Sequence, residues 1–158
     1  MRINIKPFKP RPELLTTGQA PKALYGVNPR SIMGEEAWDK LRKQVYRESL
    51  GRCACCGDNP EQAPMEAHEL YDIDYEQARC YLVEVVAMCS LCHLVAHRDI
   101  HERSNHGSKT RLKKALYHCR DLLKQAKRRN SSKENKVPWY KWRLVWEGKE
   151  YPPIHEPY

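Results

Sequence analysis

The chain has 158 residues, 41% hydrophobic and 30% charged, enough for one domain with a modest core and arms. Lys and Arg number 28 against 20 Asp and Glu, a formal net charge of +8; this suits a polyanionic partner, since each neutralised phosphate releases counterions, and equally suits a basic protein without one. No apolar run approaches the roughly 20 residues of a membrane span, and the start MRINIKPFKPRPELL is too broken by prolines for a signal peptide, so a cytoplasmic protein is expected.

In chain order, residues 1–30 carry Pro7, Pro10, Pro12, Pro21 and Pro29. Prolines at that density oppose regular helix and predict an extended basic arm. Glu35 to Leu50 predicts the first helix: Trp38, Leu41, Val45 and Tyr46 recur at helical spacing, two glutamates occupy the first turn, and Gly51 stops it. Cys53 to Pro64 reads as knuckle and loop. Met65–Asp74 and Tyr81–Met88 predict two short strands, the second dense in β-branched residues, with Asp74 and Gln77 capping a helical turn between them.

Ser90 to Glu102 predicts a helix, and Asn105 to Ser108 a loop. An amphipathic helix then runs to Arg129 with an apolar stripe of Leu112, Leu116, Cys119, Leu122 and Leu123. Trp139 to Trp146 alternates like a strand, and Glu147-Gly148-Lys149 offers a turn before a proline-rich tail.

Seven cysteines in a reducing compartment point to ligands or buried thiols rather than disulfides. Cys53-x-x-Cys56 and Cys89-x-x-Cys92 are the strongest signal. Two intervening residues let both sulfurs of a pair reach one ion from a tight turn, and two such turns complete the tetrahedron of structural zinc. Gly57 suits a knuckle whose amides point back at sulfur. Cys55 has the wrong spacing, and Cys80 and Cys119 read as buried thiols.

A second set is His68-Glu69 with His93 and His97. The last two lie four apart on the predicted helix, so their rings share a face, and His68 falls near the end of the first strand, opposite that helix. Three imidazoles converging there would hold a metal with open positions for water and phosphate. His101 continues the spacing as a solvated residue or an auxiliary ligand.

The tracts CACCG, MEAHEL and VVAMCSLCHLVAH resemble the HNH endonucleases in their ββα-metal form with a four-cysteine zinc site. That family reads C-x-x-C, then E-x-H-H or D-H, an Asn-led strand, and C-x-x-C-H-x-x-x-H. HELYDID followed by MCSLCHLVAH is similar to a bacterial and phage subgroup with His-Glu in place of His-His. The resemblance is specific over residues 53–97 and looser in the flanks.

It implies Cys53, Cys56, Cys89 and Cys92 as holders of structural zinc, and His68, His93 and His97 as ligands of a catalytic Mg, Mn, Ni or Zn ion. It also implies Glu69 as general base, so that His68, Glu69 and His93 would be catalytic. Two positions depart from the pattern: Glu69 stands where the family has its basic His, and Glu84 where it has the Asn that steadies it. Either the mechanism is retuned around Glu69 or cleavage is lost and the scaffold kept. In another register His68 is the base and Ala67 takes the ligand position, at the cost of a ligand.

Lys109, Arg111, Lys113, Lys114, Lys124, Lys127, Arg128 and Arg129 decorate the amphipathic helix. They form a solvated face or, beside a nuclease-like centre, track phosphates. The expected fold is α+β: a small ββα-metal (HNH) centre with a zinc knuckle, flanking helices and a C-terminal β-hairpin. The expected organisation is an arm (1–30), the zinc module (31–104), the basic helix (105–136), and hairpin with tail (137–158). The expected function is metal-dependent hydrolysis of DNA, with RNA also a candidate. The alternative is a zinc module that binds nucleic acid or a nucleic-acid-handling protein without cleaving.

Overall fold

Within a computed structural model, residues 8–16, 19–98, 109–126, 133 and 136–157 are described. They form a mixed α and β architecture of five α-helices and a four-stranded sheet. Strand β1 (Glu66–Asp74) pairs antiparallel with β2 (Arg79–Met88). The link between them is a tight turn, not the expected helical one. Asp74 Oδ1 accepts from the backbone N–H of Glu76 and of Gln77, both at 3.0 Å, so the capping chemistry is present but the strands resume at once.

One irregularity organises the sheet. His68 pairs with Val86 and Leu70 with Glu84, but Tyr71 pairs with Leu82, leaving Val83 as a bulge. An extra residue reverses the face on which later side chains of that strand project. Val86 and Met88 therefore join a core with the knuckle cysteines, Leu91 and Val95. Cys80 and Leu82 join a second core with Tyr71, Trp142 and Leu144 on the other face. On the unbulged β1, His68 and Leu70 face the first core side, while Glu69 and Tyr71 face the second.

Strands β3 (Arg143–Trp146) and β4 (Lys149–Tyr151) form the expected C-terminal hairpin. Glu147 and Gly148 both take positive φ, 49° and 75°, as a two-residue type I′ turn requires. The hairpin extends the same sheet, β3 lying parallel to β2 with Cys80 opposite Leu144. The strand begins later than expected: Trp139–Lys141 is a 3-10 turn entered through Pro138, whose fixed φ suits a turn start. Trp142 and Leu144 are buried.

Helix α1 (Pro29–Met33) is opened by an Asn28–Ser31 capping box, and α2 (Glu35–Ser49), whose Trp38 is buried, packs against β1 and β2. Helix α3 (Ser90–Ala96) follows β2 directly. The amphipathic helix is two pieces, α4 (Lys109–His118) and α5 (Arg120–Gln125), broken at Cys119 with φ −91° and ψ 4°. Ala115 and Cys119 are its buried residues, and α4 packs on α3.

The proline-rich N-terminal stretch is not merely an arm. Pro12–Leu15 and Lys22–Leu24 make 3-10 turns, and Leu14, Leu15, Ala23, Leu24 and Val27 are core residues. Arg11 donates its backbone N–H to Cys55 O at 3.0 Å, and its guanidinium grips Glu84 at 3.2 and 2.9 Å. Proline excluded long helix but not burial of the Leu14-Leu15 pair. Residues 1–7, 99–102 with His101, the loop 105–108, and Lys127, Arg128 and Arg129 lie outside the described residues.

Candidate metal centres

Cys53 and Cys56 sit on the knuckle preceding β1, which is tied to the sheet by the Ala54 N–H donating to Ala87 O at 2.8 Å. Gly57 closes it with φ 83°, donating to Cys53 O at 2.8 Å; a Cβ there would stand 2.5 Å from the Phe8 ring. Cys89 caps α3, and Cys92 lies in its first turn. Each pair uses the same device: the Cys56 N–H donates to Cys53 Sγ at 3.5 Å and the Cys92 N–H to Cys89 Sγ at 3.4 Å.

All four sulfurs lie within 4.8 Å of one another, and Cys56 Sγ is 3.9 Å from Cys89 Sγ. A tetrahedron with metal–sulfur bonds of about 2.3 Å has edges of about 3.8 Å, so the cluster has the dimensions of a zinc site. The thiols cannot all ionise unaided. Donation from Cys56, Cys89 and Cys92 holds Cys53 toward thiolate, while Cys119 and Cys53 push Cys92 the other way. A bound cation removes that conflict by displacing the protons. The four cysteines can therefore hold one zinc ion.

Two further groups approach this cluster. His118 Nε2 lies 3.4 Å from Cys56 Sγ, and Cys119 Sγ lies 3.7 Å from Cys92 Sγ. Cys119 is buried as a thiol, as expected, but at the metal cluster rather than in plain apolar packing. His118 was not singled out by the sequence; its place beside Cys119 on the apolar stripe was the available signal.

The three expected imidazoles also meet. Ring centroids are 5.3 Å apart for His68–His93, 5.0 Å for His68–His97 and 4.6 Å for His93–His97, and one nitrogen from each lies within 4.8 Å of the others. His68 is fully buried, and neither of its ring nitrogens has a hydrogen-bond partner among the described residues. Burial, then the neighbouring His97 and His93, lowers its pKa to about 3, so the ring is a neutral donor. Two orphaned nitrogens in a core are costly unless something coordinates one of them. The donor set fits a divalent transition metal.

Glu66 completes the arrangement. Its Oε2 lies 3.3 Å from His93 Nδ1, and that hydrogen bond to His93 is the main cause holding the Glu66 carboxyl below its ordinary pKa. A carboxylate on one ring nitrogen aims the other at the metal and raises its basicity. Strand parity places Glu66 on the face of His68, a signal present in the sequence.

Glu69 projects from β1 on the face opposite His68, but β1 is the sheet's edge strand. Around that edge Glu69, Tyr71 and His97 line one cleft of about 150 Å³, walled by Tyr25, Val27 and Gln19. Burial raises the Glu69 pKa, offset in part by its own backbone N–H and by His93. Glu84, expected from the resemblance to stand in place of an Asn that steadies the base, pairs with Leu70 on the His68 face and is held by Arg11, so strand geometry gives it no role in steadying Glu69.

Of the basic residues, Lys109 and Lys113 on α4 are exposed. Arg111 and Lys114 reach Glu61 at 3.1 and 3.5 Å, and Lys124 reaches Asp121 at 3.8 Å. Glu61 also accepts from Ser90 Oγ at 3.0 Å, so part of this charge braces α4 against the start of α3. A separate groove of about 560 Å³ lies between the β1–β2 turn and the 3-10 turn, lined by Arg79, Lys136, Lys141, Arg143 and exposed Tyr140. No described helix is long and apolar enough to cross a membrane. No family model, curated protein or solved structure matches the chain.

Proposed function

We propose that this chain is a metal-dependent phosphodiesterase of the HNH, ββα-metal kind, hydrolysing DNA on a zinc-braced scaffold. The observation that carries the reading is buried His68, its ring nitrogens without hydrogen-bond partners among the described residues, facing His93 and His97 beside the cleft that Glu69 lines. His68, His93 and His97 would hold the catalytic ion, and Cys53, Cys56, Cys89 and Cys92 a structural zinc. An ion held there would supply Lewis-acid stabilisation of charge on the phosphoryl oxygens.

The remaining work falls to side chains. Glu69 takes the proton from the attacking water; burial raises its pKa and makes its carboxylate a stronger base than a surface one. The water oxygen bonds to phosphorus, the bond to the leaving sugar oxygen breaks, and that oxygen is protonated from solvent. Glu66 fixes the His93 ring. Exposed Lys109 and Lys113 and the groove lined by Arg79 and Lys141 would supply phosphate contacts.

A second reading, nucleic-acid binding without cleavage, is favoured by one observation: Glu69 and His68 leave β1 on opposite faces, and Glu84 is committed to Arg11. Nicking of supercoiled plasmid with added Mg²⁺, Mn²⁺ or Ni²⁺ separates the two. Cleavage is expected in the native chain and its loss in Glu69→Gln and His93→Ala. Cleavage surviving both changes refutes the assigned roles; salt-sensitive DNA retention without cleavage establishes the second reading.

A further inference from the structure

We infer that Cys92, His118 and Cys119 form a second soft-metal position, sharing the Cys92 sulfur with the four-cysteine site. The inference depends on that site but on no hydrolytic activity.

The geometry is that of ligands. One donor atom from each of the three residues lies within 4.8 Å of the other two. The Cys119–Cys92 sulfur separation, 3.7 Å, matches the tetrahedral edge of about 3.8 Å expected for a shared ion. Cys92 and Cys119 are fully buried, and His118 is half-buried at the end of α4. His118 and Cys119 reach the sulfur cluster together from the junction of α4 and α5.

Charge favours the same conclusion. Four thiolates around one divalent ion leave two uncompensated negative charges inside a core, which is unfavourable unless neutralised. A second divalent ion bound by ionised Cys119 and neutral His118 halves that excess. Thiolate sulfur keeps lone pairs after binding one metal, so Cys92 can bridge. Two sulfurs and an imidazole select soft or borderline ions such as Zn²⁺, Cd²⁺ or Cu⁺. Three protein donors also leave one coordination position open, next to the partly exposed His118.

The test uses the full chain carrying His93→Ala and His97→Ala, so that the imidazole trio contributes no metal. Cd²⁺ is titrated in, followed by thiolate-to-metal absorption, cadmium NMR and native mass spectrometry. The expected result is two ions per chain with distinct cadmium resonances. The second resonance should disappear in Cys119→Ser and weaken in His118→Gln, while the first persists. Because Cys119 is buried and its replacement can impair folding, the half-exposed His118→Gln decides independently. One ion per chain, unaltered by either change, overturns the second position and leaves the four-cysteine site standing. No bound ion overturns both.

Discussion

Acid should destabilise this fold through one residue. His68 is fully buried, and its pKa falls from 6.5 to about 3. The unfolded chain therefore binds a proton that the folded chain refuses. Stability is whole above the unfolded value, declines as pH falls below about 6.5, and stops declining near the folded value. At about pH 5 the gap is roughly 1.5 pH units, which at about 1.4 kcal/mol per unit is a loss of roughly 2 kcal/mol. His68→Leu removes the group, while His93 and His97 remain in both proteins and largely cancel. The measurement is urea unfolding followed by circular dichroism, with zinc present, near pH 7.5 and near pH 5. The native chain should lose about 2 kcal/mol more than His68→Leu between those conditions. A metal at the imidazoles enlarges the difference, since protons then compete with it as well. Equal pH dependence in the two proteins would refute the claim that His68 is held neutral.

Three other outcomes follow from the same structure. Glu66→Gln should weaken metal binding at the imidazoles by about 10- to 100-fold, read by Ni²⁺ titration calorimetry; unchanged affinity would mean that the Glu66–His93 contact orients nothing. Leu14→Ala should cost about 3 kcal/mol, because Leu14 is fully buried against the knuckle core; a cost near zero would restore the N-terminal stretch to a simple arm. Cys89→Ser, or zinc removal by a strong chelator, should abolish the cooperative unfolding of the α3 and α4 side, since a structural zinc contributes on the order of 10 kcal/mol, comparable with whole-domain stability; an unchanged thermal transition would show that the sulfurs fold without an ion.

What the sequence revealed depended on how local each signal was. The C-x-x-C pairs and the His93–His97 spacing were legible because one turn of backbone sets them. The C-terminal hairpin was legible from the alternation ending at Trp146 and the Glu147-Gly148-Lys149 turn after it. Glu66 was legible in principle, two residues before His68 on the same strand face, but a lone acidic residue at a strand start carries no mark of its partner. The His118–Cys56 contact joins residues 62 apart, and Cys119–Cys92 joins residues 27 apart; no periodicity reports which groove a helix end will enter. The burial of Leu14 and Leu15 was masked by prolines, which constrain backbone without deciding what it covers.

The bulge at Val83 lay furthest from any sequence signal, yet it does most to place the chemistry. Without it, the even-numbered apolar residues of β2 would all face one side, and the sheet would have a single core. With it, Val86 and Met88 close over the sulfur cluster while Cys80 and Leu82 pack on Trp142 and Leu144. Each end of the β1–β2 pair then packs on a different core, and the edge of β1 is where groups from opposite faces converge. Glu69 comes from one side and His97 from the other, meeting in a cleft neither face could form alone. Deleting Val83 should therefore do more than shorten a strand. It would invert one end of β2 relative to the other, forcing either Cys80 or Val86 into solvent, and whichever core survived would lack the other's contribution to that cleft.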